Sequence, residues 1–291
     1  MKIAVCLKGT EDLIAKDLKG KKILDGRIFF DKSKNLGGVN VVYKLIEQFK
    51  FKDYKDLIKT VSKMKFKFKG SFRVDCKREG EHDFDSGMIE RGIGEIIYKL
   101  GFKVDLKEPK NTIYVDIIDD TCLIGVLEAK DLCKRDYKAK VSNQSLNACL
   151  AYFMLKLLGK GDLIDPFCRD GVIAIEAARM KLGKVYAWDE NYNNLKNAEI
   201  NAALAEAKIK FCKPKEVEDI NVATFLPIAS ERNKFAVNDI KRFFENIKAK
   251  RLVLCTLNKD LVAKYCKFKI ISEREIIIGG FKFSILELSG L

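Results

Sequence analysis

The stretch LIDPFCRDGVIAIEAA, residues 163–178, concentrates the residues most able to do chemistry. An apolar run ends at Asp165-Pro166, a short turn follows, and apolar residues then recur at helical spacing. A strand–turn–helix of this kind offers backbone N–H groups at the helix start, which favour a carboxylate or a phosphate. Gly171 allows the backbone to approach a ligand closely. A second acid, Asp189, closes the next apolar run, KVYAWD. An acid at that place, about 20 residues further on, suits hydrogen bonds to a ribose diol. Either acid alone reads equally well as a solvated loop residue. Together, in order on consecutive strands, they point to an adenosine-containing cofactor.

The elements around these residues alternate. Strands are expected at residues 163–167, 184–188, 209–212, 221–225 and 252–256, with helices at 172–182, 192–207 and 239–247. A closing hairpin is expected at 268–288, turning at Gly279-Gly280. Such alternation argues for a mostly parallel open sheet. Upstream lies helix 146–158, apolar on most faces and stopped by Gly159. Before it, residues 130–143, with KRDYKAK, form a basic connector. The front of the chain reads as α+β. Strands are expected at 1–7, 22–30 (a pair turning at Asp25-Gly26), 71–76, 112–118 and 121–127. Helices are expected at 11–18, 39–49, 54–61 and 85–100, the last with Ser86 as its N-cap. Met64, Phe66 and Phe68 alternate with Lys63, Lys65, Lys67 and Lys69, which suggests an extended segment with one buried and one ammonium-lined face.

The 291 residues carry a net charge of +14, spread over both halves, which favours partners bearing phosphates over small neutral ones. A Lys-rich solvated surface is the plain alternative. Nine cysteines show no Cys-x-x-Cys spacing and there is one histidine, His82, so no metal site is expected. The cysteines are expected to be reduced thiols in a cytoplasmic protein. No apolar run has the roughly 18–20 residues of a membrane span.

DPFCRDGVIAIEAA resembles the signature DPFCGSGTILIEAA of RNA methyltransferases that carry a THUMP domain, a family acting on guanine N2 in tRNA and related RNA. FRVDCKREGEHDF, GEIIYKLGFKVDLKEP and TIYVDIIDDTCLIGV resemble a THUMP domain. KRDYK with SLNACLAYFMLKLLG resembles the segment preceding the signature, and GTEDLIAKDL the ferredoxin-like unit that opens such proteins. The resemblance implies a Rossmann-like class I methyltransferase domain preceded by an α+β ferredoxin-like/THUMP region. Its parts would be a ferredoxin-like unit at 1–62, a THUMP domain at 63–129, a linker at 130–144 and a methyltransferase domain at 145–291.

It further implies S-adenosylmethionine as cofactor, held by Ser145, Asp165, Phe167, Cys168, Gly171 and Asp189, and the acceptor end of tRNA as partner. Arg73, Lys77, Arg78, Arg91, Lys134 and Arg135 are the candidates for phosphate contacts, which position RNA without reading its sequence. Three places depart from the family pattern. Arg169-Asp170 replaces Gly-Ser in the turn, so that Arg169 either crowds the methionine carboxylate or pairs with it. No acid precedes Glu216 after the third strand. Residues 224–229, TFLPIA, stand where the family has Asn/Asp-Pro-Pro-aromatic. No catalytic residue is therefore assigned, with Phe225 and Asn238 the possible substitutes. The alternative to a methyltransferase is a tRNA-binding protein on a catalytically degenerate scaffold.

Overall fold

A computed structural model describes residues 1–33, 35–214, 220–228 and 234–289. The expectations for Glu216 and Ala229 lie outside the described residues. In chain order the elements are β1 (Lys2–Cys6), α1 (Glu11–Leu18), β2 (Lys21–Leu24), β3 (Arg27–Phe30), β4 (Val39–Lys50), α2 (Tyr54–Val61), β5 (Phe72–Glu79), α3 (Ser86–Lys99), β6 (Asn111–Ile118) and β7 (Thr121–Ala129). After a 3-10 turn (Leu132–Lys134) come α4 (Ala148–Leu158), β8 (Leu163–Asp165), α5 (Val172–Arg179), β9 (Val185–Ala187), α6 (Tyr192–Leu204), β10 (Ile209–Phe211) and β11 (Ile220–Phe225). The last are α7 (Lys234–Asn246), β12 (Ala249–Thr256), α8 (Lys259–Tyr265), β13 (Lys269–Ile278) and β14 (Phe281–Ser289). One sheet has the order β2-β3-β1-β4-β7-β6-β5, the other β10-β9-β8-β11-β12-β14-β13. The chain divides into two compact units: residues 1–5, 29–32 and 41–130, and residues 6–28, 33–40 and 131–291.

In the first unit, α2 and α3 supply Leu57, Val61, Ile89, Ile93 and Ile97 to a core completed by alternate residues of β5, β6 and β7. Both helices start on a capping carboxylate, Asp53 accepting from the Asp56 N–H and Asp85 from the Met88 N–H. The cap of α3 is thus Asp85, and Ser86 is its first helical residue. A larger correction concerns residues 39–49, expected as a helix. They form the twelve-residue strand β4, paired antiparallel with β7 and interrupted by irregularities at Val42/Tyr43 and Leu45/Glu47. The first leaves Glu128 of β7 as the extra residue and the second Ile46 of β4, where strict alternation along β4 breaks. The apolar positions 39, 42, 43, 46 and 49 therefore mimic a helical period. Phe66 is buried, and Met64 and Phe68 pack on the same core, while Lys63, Lys65, Lys67 and Lys69 are exposed. This segment joins no ladder.

In the second unit, β10, β9, β8, β11 and β12 run parallel, and β14 and β13 complete the sheet antiparallel. β8 lies between β9 and β11, where successive strands begin to be added on the opposite side. At such a reversal the connections diverge and leave a crevice at the strands' carboxyl ends, where open α/β sheets bind ligands. α4 buries nearly all its residues and starts on Asn147, which accepts from the Cys149 and Leu150 N–H groups. Helix α8, for which the sequence pattern carries no expectation, starts on Asn258.

The connector is packed rather than loose. Arg135 donates through Nε and Nη2 to both carboxylate oxygens of Glu176, each at 3.0 Å, and Tyr137 donates to Oε1 at 2.8 Å. Cys133 and Cys149 form a disulfide, contrary to the expectation that all thiols are free. The 3-10 turn brings their Cα atoms to 5.5 Å, within the span a disulfide bridges.

One polar contact joins the strands that flank the crevice. Asp165, fully buried, accepts a hydrogen bond from the Thr224 hydroxyl at 2.6 Å and one from the Phe167 N–H at 3.3 Å. Burial pushes its pKa up from the ordinary carboxylate value to about 7, against the opposing effects of the Thr224 hydrogen bond and the Arg169 charge. A carboxyl raised in the folded state stabilises fully below about pH 4, and that contribution is lost as pH rises through about 7.

Wild type is therefore expected to lose stability relative to Asp165→Asn as pH is raised from 4 to 7, measured by urea unfolding; a pH-independent difference would remove the raised pKa. Glu176→Ala, which strands the Arg135 guanidinium without its partner, is expected to cost about 3 kcal/mol. An Arg135→Met/Glu176→Leu pair should cost clearly less in the same assay.

Candidate functional site

The crevice holds an open cavity of ≈ 1090 Å³, whose walls include Phe167, Trp188, Asp189, Asn194, Lys213 and Phe243. Its floor is the turn after β8. That turn is tied to the end of β9 by two backbone hydrogen bonds, Trp188 N–H to the Asp165 carbonyl at 3.0 Å and Cys168 N–H to the Trp188 carbonyl at 2.9 Å. Asp189 adds a third tie. Its Oδ2 accepts from the Arg169 N–H at 2.9 Å, and its Oδ1 from Asn191 N–H at 3.0 Å and Asn194 Nδ2 at 3.1 Å. A carboxylate has about four acceptor positions, so one remains on Asp189, which lines the cavity.

The six residues expected to hold the cofactor divide by position. Phe167 and Asp189 line the cavity, and Phe167 packs its ring on Phe243 with centroids 5.6 Å apart. Asp165 and Cys168 sit beneath the turn, buried, and burial drives the Cys168 thiol well above the usual range. Gly171 has φ +86, and a Cβ there would meet Ala198 of α6 at 3.1–3.2 Å. Its missing side chain thus serves helix packing, with no contact to the cavity required. Ser145 follows the connector, and its Oγ, like that of Ser142, is buried without a hydrogen-bond partner among the described residues. The Ser142 backbone N–H lies 3.4 Å from Asp170 Oδ2, which brings this part of the connector beside the signature turn.

Arg169 bonds the Asp189 carboxylate through its backbone N–H, and its guanidinium pairs with no carboxylate among the described residues. It is buried, with φ +50, in the left-handed region that favours glycine, the residue type the signature has here; for a residue with a Cβ this costs about 1 kcal/mol. Its Nη1 donates to the carbonyls of Phe167 and Phe225, and its Nη2 to the Leu226 carbonyl and Gln144 Oε1. The guanidinium carbon lies 4.5 Å from the centroid of the Phe225 ring. Burial lowers its pKa, while Asp165 and Asp189 oppose that shift. Phe225 is buried between this guanidinium and Phe283, and Asn238 is exposed on α7 outside the cavity wall. Thr224 opens the departing stretch 224–229, whereas Gln144, Trp188 and Lys213 carry no assignment in the sequence. Their only signal is adjacency to the two acids or to the ends of strands.

Of the phosphate-contact candidates, Arg73, Lys77 and Arg78 stand on β5 and Arg91 on α3. Lys77 and Arg91 are exposed. The buried Nε atoms of Arg73 and Arg78 have no hydrogen-bond partner among the described residues, and Arg78 Nη1 lies 2.9 Å from His82 Nδ1. Lys134 is exposed and pairs with Asp131 at 2.9 Å. Arg135 is engaged by Glu176, Leu132 and Gly37, which takes its guanidinium out of reach of a phosphate. Among the described residues no group of three His, Cys, Asp or Glu side chains could hold a metal ion, and no helix is long and apolar enough to cross a membrane.

Comparison with known proteins agrees with this geometry. Residues 50–127 match the THUMP domain family, and residues 135–221 match the family described as RMKL-like, methyltransferase domain. Two similar proteins are both named tRNA (guanine(6)-N2)-methyltransferase. The one from Thermus thermophilus is 39% identical over 143 residues, covering 47% of this chain and 42% of its own length. The one from Archaeoglobus fulgidus is 31% identical over 239 residues, covering 71% of this chain and 60% of its own. The chain therefore spans less than two thirds of either relative. The crystal structure of TrmN from Thermus thermophilus superposes with a TM-score of 0.82 at 24% identity, over 100% of this chain and 99% of that one. At that identity the match speaks for the fold. By fold and by both family matches, this chain joins a THUMP domain to an RMKL-like methyltransferase domain.

Proposed function

We propose that this chain binds S-adenosylmethionine in the crevice of its second unit and acts as a methyltransferase on guanine N2 of tRNA, gripped at its acceptor end. The observation that carries the reading is the placement of Asp189. It ends the strand beside β8, on the wall of a cavity at the point where strand order reverses, with an acceptor position left for a ribose hydroxyl. Trp188 and Phe167 give that cavity aromatic surface for an adenine ring. The unpartnered hydroxyls of Ser142 and Ser145 suit the polar end of the methionine moiety. The adenosine half of the cofactor therefore fits the residues present. At the inner end the fit stops, because Arg169 fills the space between the turn and the end of β11. The cofactor's contribution when bound is a methyl group made electrophilic by its sulfonium.

RNA binding rests on the first unit, its THUMP match, and the ammonium-lined segment at 63–69 together with the exposed Lys77 and Arg91. Such contacts act through phosphates and weaken steeply with salt. The occupation of the inner pocket by Arg169 favours a second reading, a tRNA-binding protein whose methyltransferase scaffold no longer transfers methyl groups.

Calorimetry with S-adenosylhomocysteine is expected to show at least a tenfold loss of affinity in Asp189→Ala, with tRNA binding unchanged; equal affinities would remove Asp189 from the site. Replacing Lys63, Lys65, Lys67 and Lys69 together by Gln should flatten the dependence of log K for tRNA on log salt by about 0.7 for each phosphate no longer neutralised. An unchanged slope would place the RNA elsewhere. Transfer of labelled methyl from the cofactor to unmodified tRNA separates the two readings.

A further inference from the structure

The space between the signature turn and the end of β11 is built as a receptor for a planar group with several N–H donors. Two consecutive backbone carbonyls, of Phe225 and Leu226, point into it with the amide oxygen of Gln144, and the face of Phe225 closes one side. Only ≈ 10 Å³ remains beside the occupant, about the space of a single water. That occupant is the chain's own Arg169.

The occupant is unusual in charge as well as position. Arg169 forms no ion pair among the described residues; the hydrogen bonds its guanidinium makes there all go to neutral oxygens. A cation desolvated on neutral acceptors is held at a disadvantage compared with a neutral group making the same hydrogen bonds. Arg169, Gln144 and Phe167 line the open cavity as well as this pocket, so the two spaces adjoin at these residues.

The N1–C2–N2 edge of guanine is itself a guanidine unit, planar, neutral and carrying N–H donors on adjacent nitrogens. We propose that Arg169 is an internal stand-in for this edge: it occupies the pocket that receives the target guanine, and the base enters only when the arginine swings out. The inference rests on the guanine reading above and deepens it. The same side chain would then keep the transfer site closed in the free protein and discriminate among bases, since only an edge that replaces the guanidinium's hydrogen bonds can displace it. Inosine, which lacks the N2 amine, supplies fewer donors to the same carbonyls.

The test uses the full chain as wild type, Arg169→Gly and Arg169→Lys, whose ammonium lacks the planar fork. Arg169→Gly is expected to bind guanosine monophosphate at least tenfold more tightly than wild type, and at least tenfold more tightly than inosine monophosphate. Ethylguanidinium at millimolar concentration should raise the melting temperature of Arg169→Gly saturably, whereas ethylammonium should not. Arg169→Lys should fall between wild type and Arg169→Gly in nucleotide affinity. Equal affinity for the two nucleotides in Arg169→Gly, or equal response to the two cations, overturns the proposal. So does failure of both variants to fold, which makes Arg169 a structural strut. None of these readouts needs cofactor or turnover. Selective guanine binding without methyl transfer to tRNA would leave this inference standing and overturn the methyltransferase reading.

Discussion

The second unit depends on a hydrogen bond between two neighbouring strands. The Thr224 hydroxyl donates to the buried carboxyl of Asp165, fastening β11 to β8 where the order of strand addition reverses. The turn and the carbonyls at the inner end of the crevice each hang from one of these two strand ends. The signature turn leaves β8, and the carbonyls that hold Arg169 leave β11. A rigid floor follows, because a 2.6 Å contact in a dry interior has no water to exchange with. The backbone ties to Trp188 and the Asp189 carboxylate extend the same floor under β9.

Within that frame Asp189 has two loads. It orders the turn through Arg169 N–H and α6 through Asn194, and it faces the cavity. Arg169 likewise combines two demands, the backbone of a glycine and the contacts of a long side chain. A glycine would relieve the first and forfeit the second. On the cofactor reading proposed above, that compromise separates recognition of the adenosine end from access to the inner end.

The alternating β and α elements of the second unit were legible because each strand is a short apolar run bounded by a turn. The signature and Asp189 were legible because acids end those runs. β4 was not, because the extra residue at Ile46 breaks its alternation and leaves apolar positions in a rhythm that no local rule separates from a helix. Helix α8 is short and polar, and its existence depends on packing rather than pattern. The Cys133–Cys149 pairing escaped because nothing in the spacing says the connector folds back onto α4. At the site, Arg169 stood out as an irregularity, yet only the folded chain shows which carbonyls it faces.

The segment between Cys133 and Cys149 contains Gln144, which lines the crevice, so the covalent bridge closes a loop that contributes to its wall. Closing a loop of this length removes conformational freedom worth about 3 kcal/mol from the unfolded chain. Cutting the bridge would return that freedom to the wall. A sample handled with thiol reductant and one handled without would then present crevices of different stiffness, with an identical amino-acid sequence.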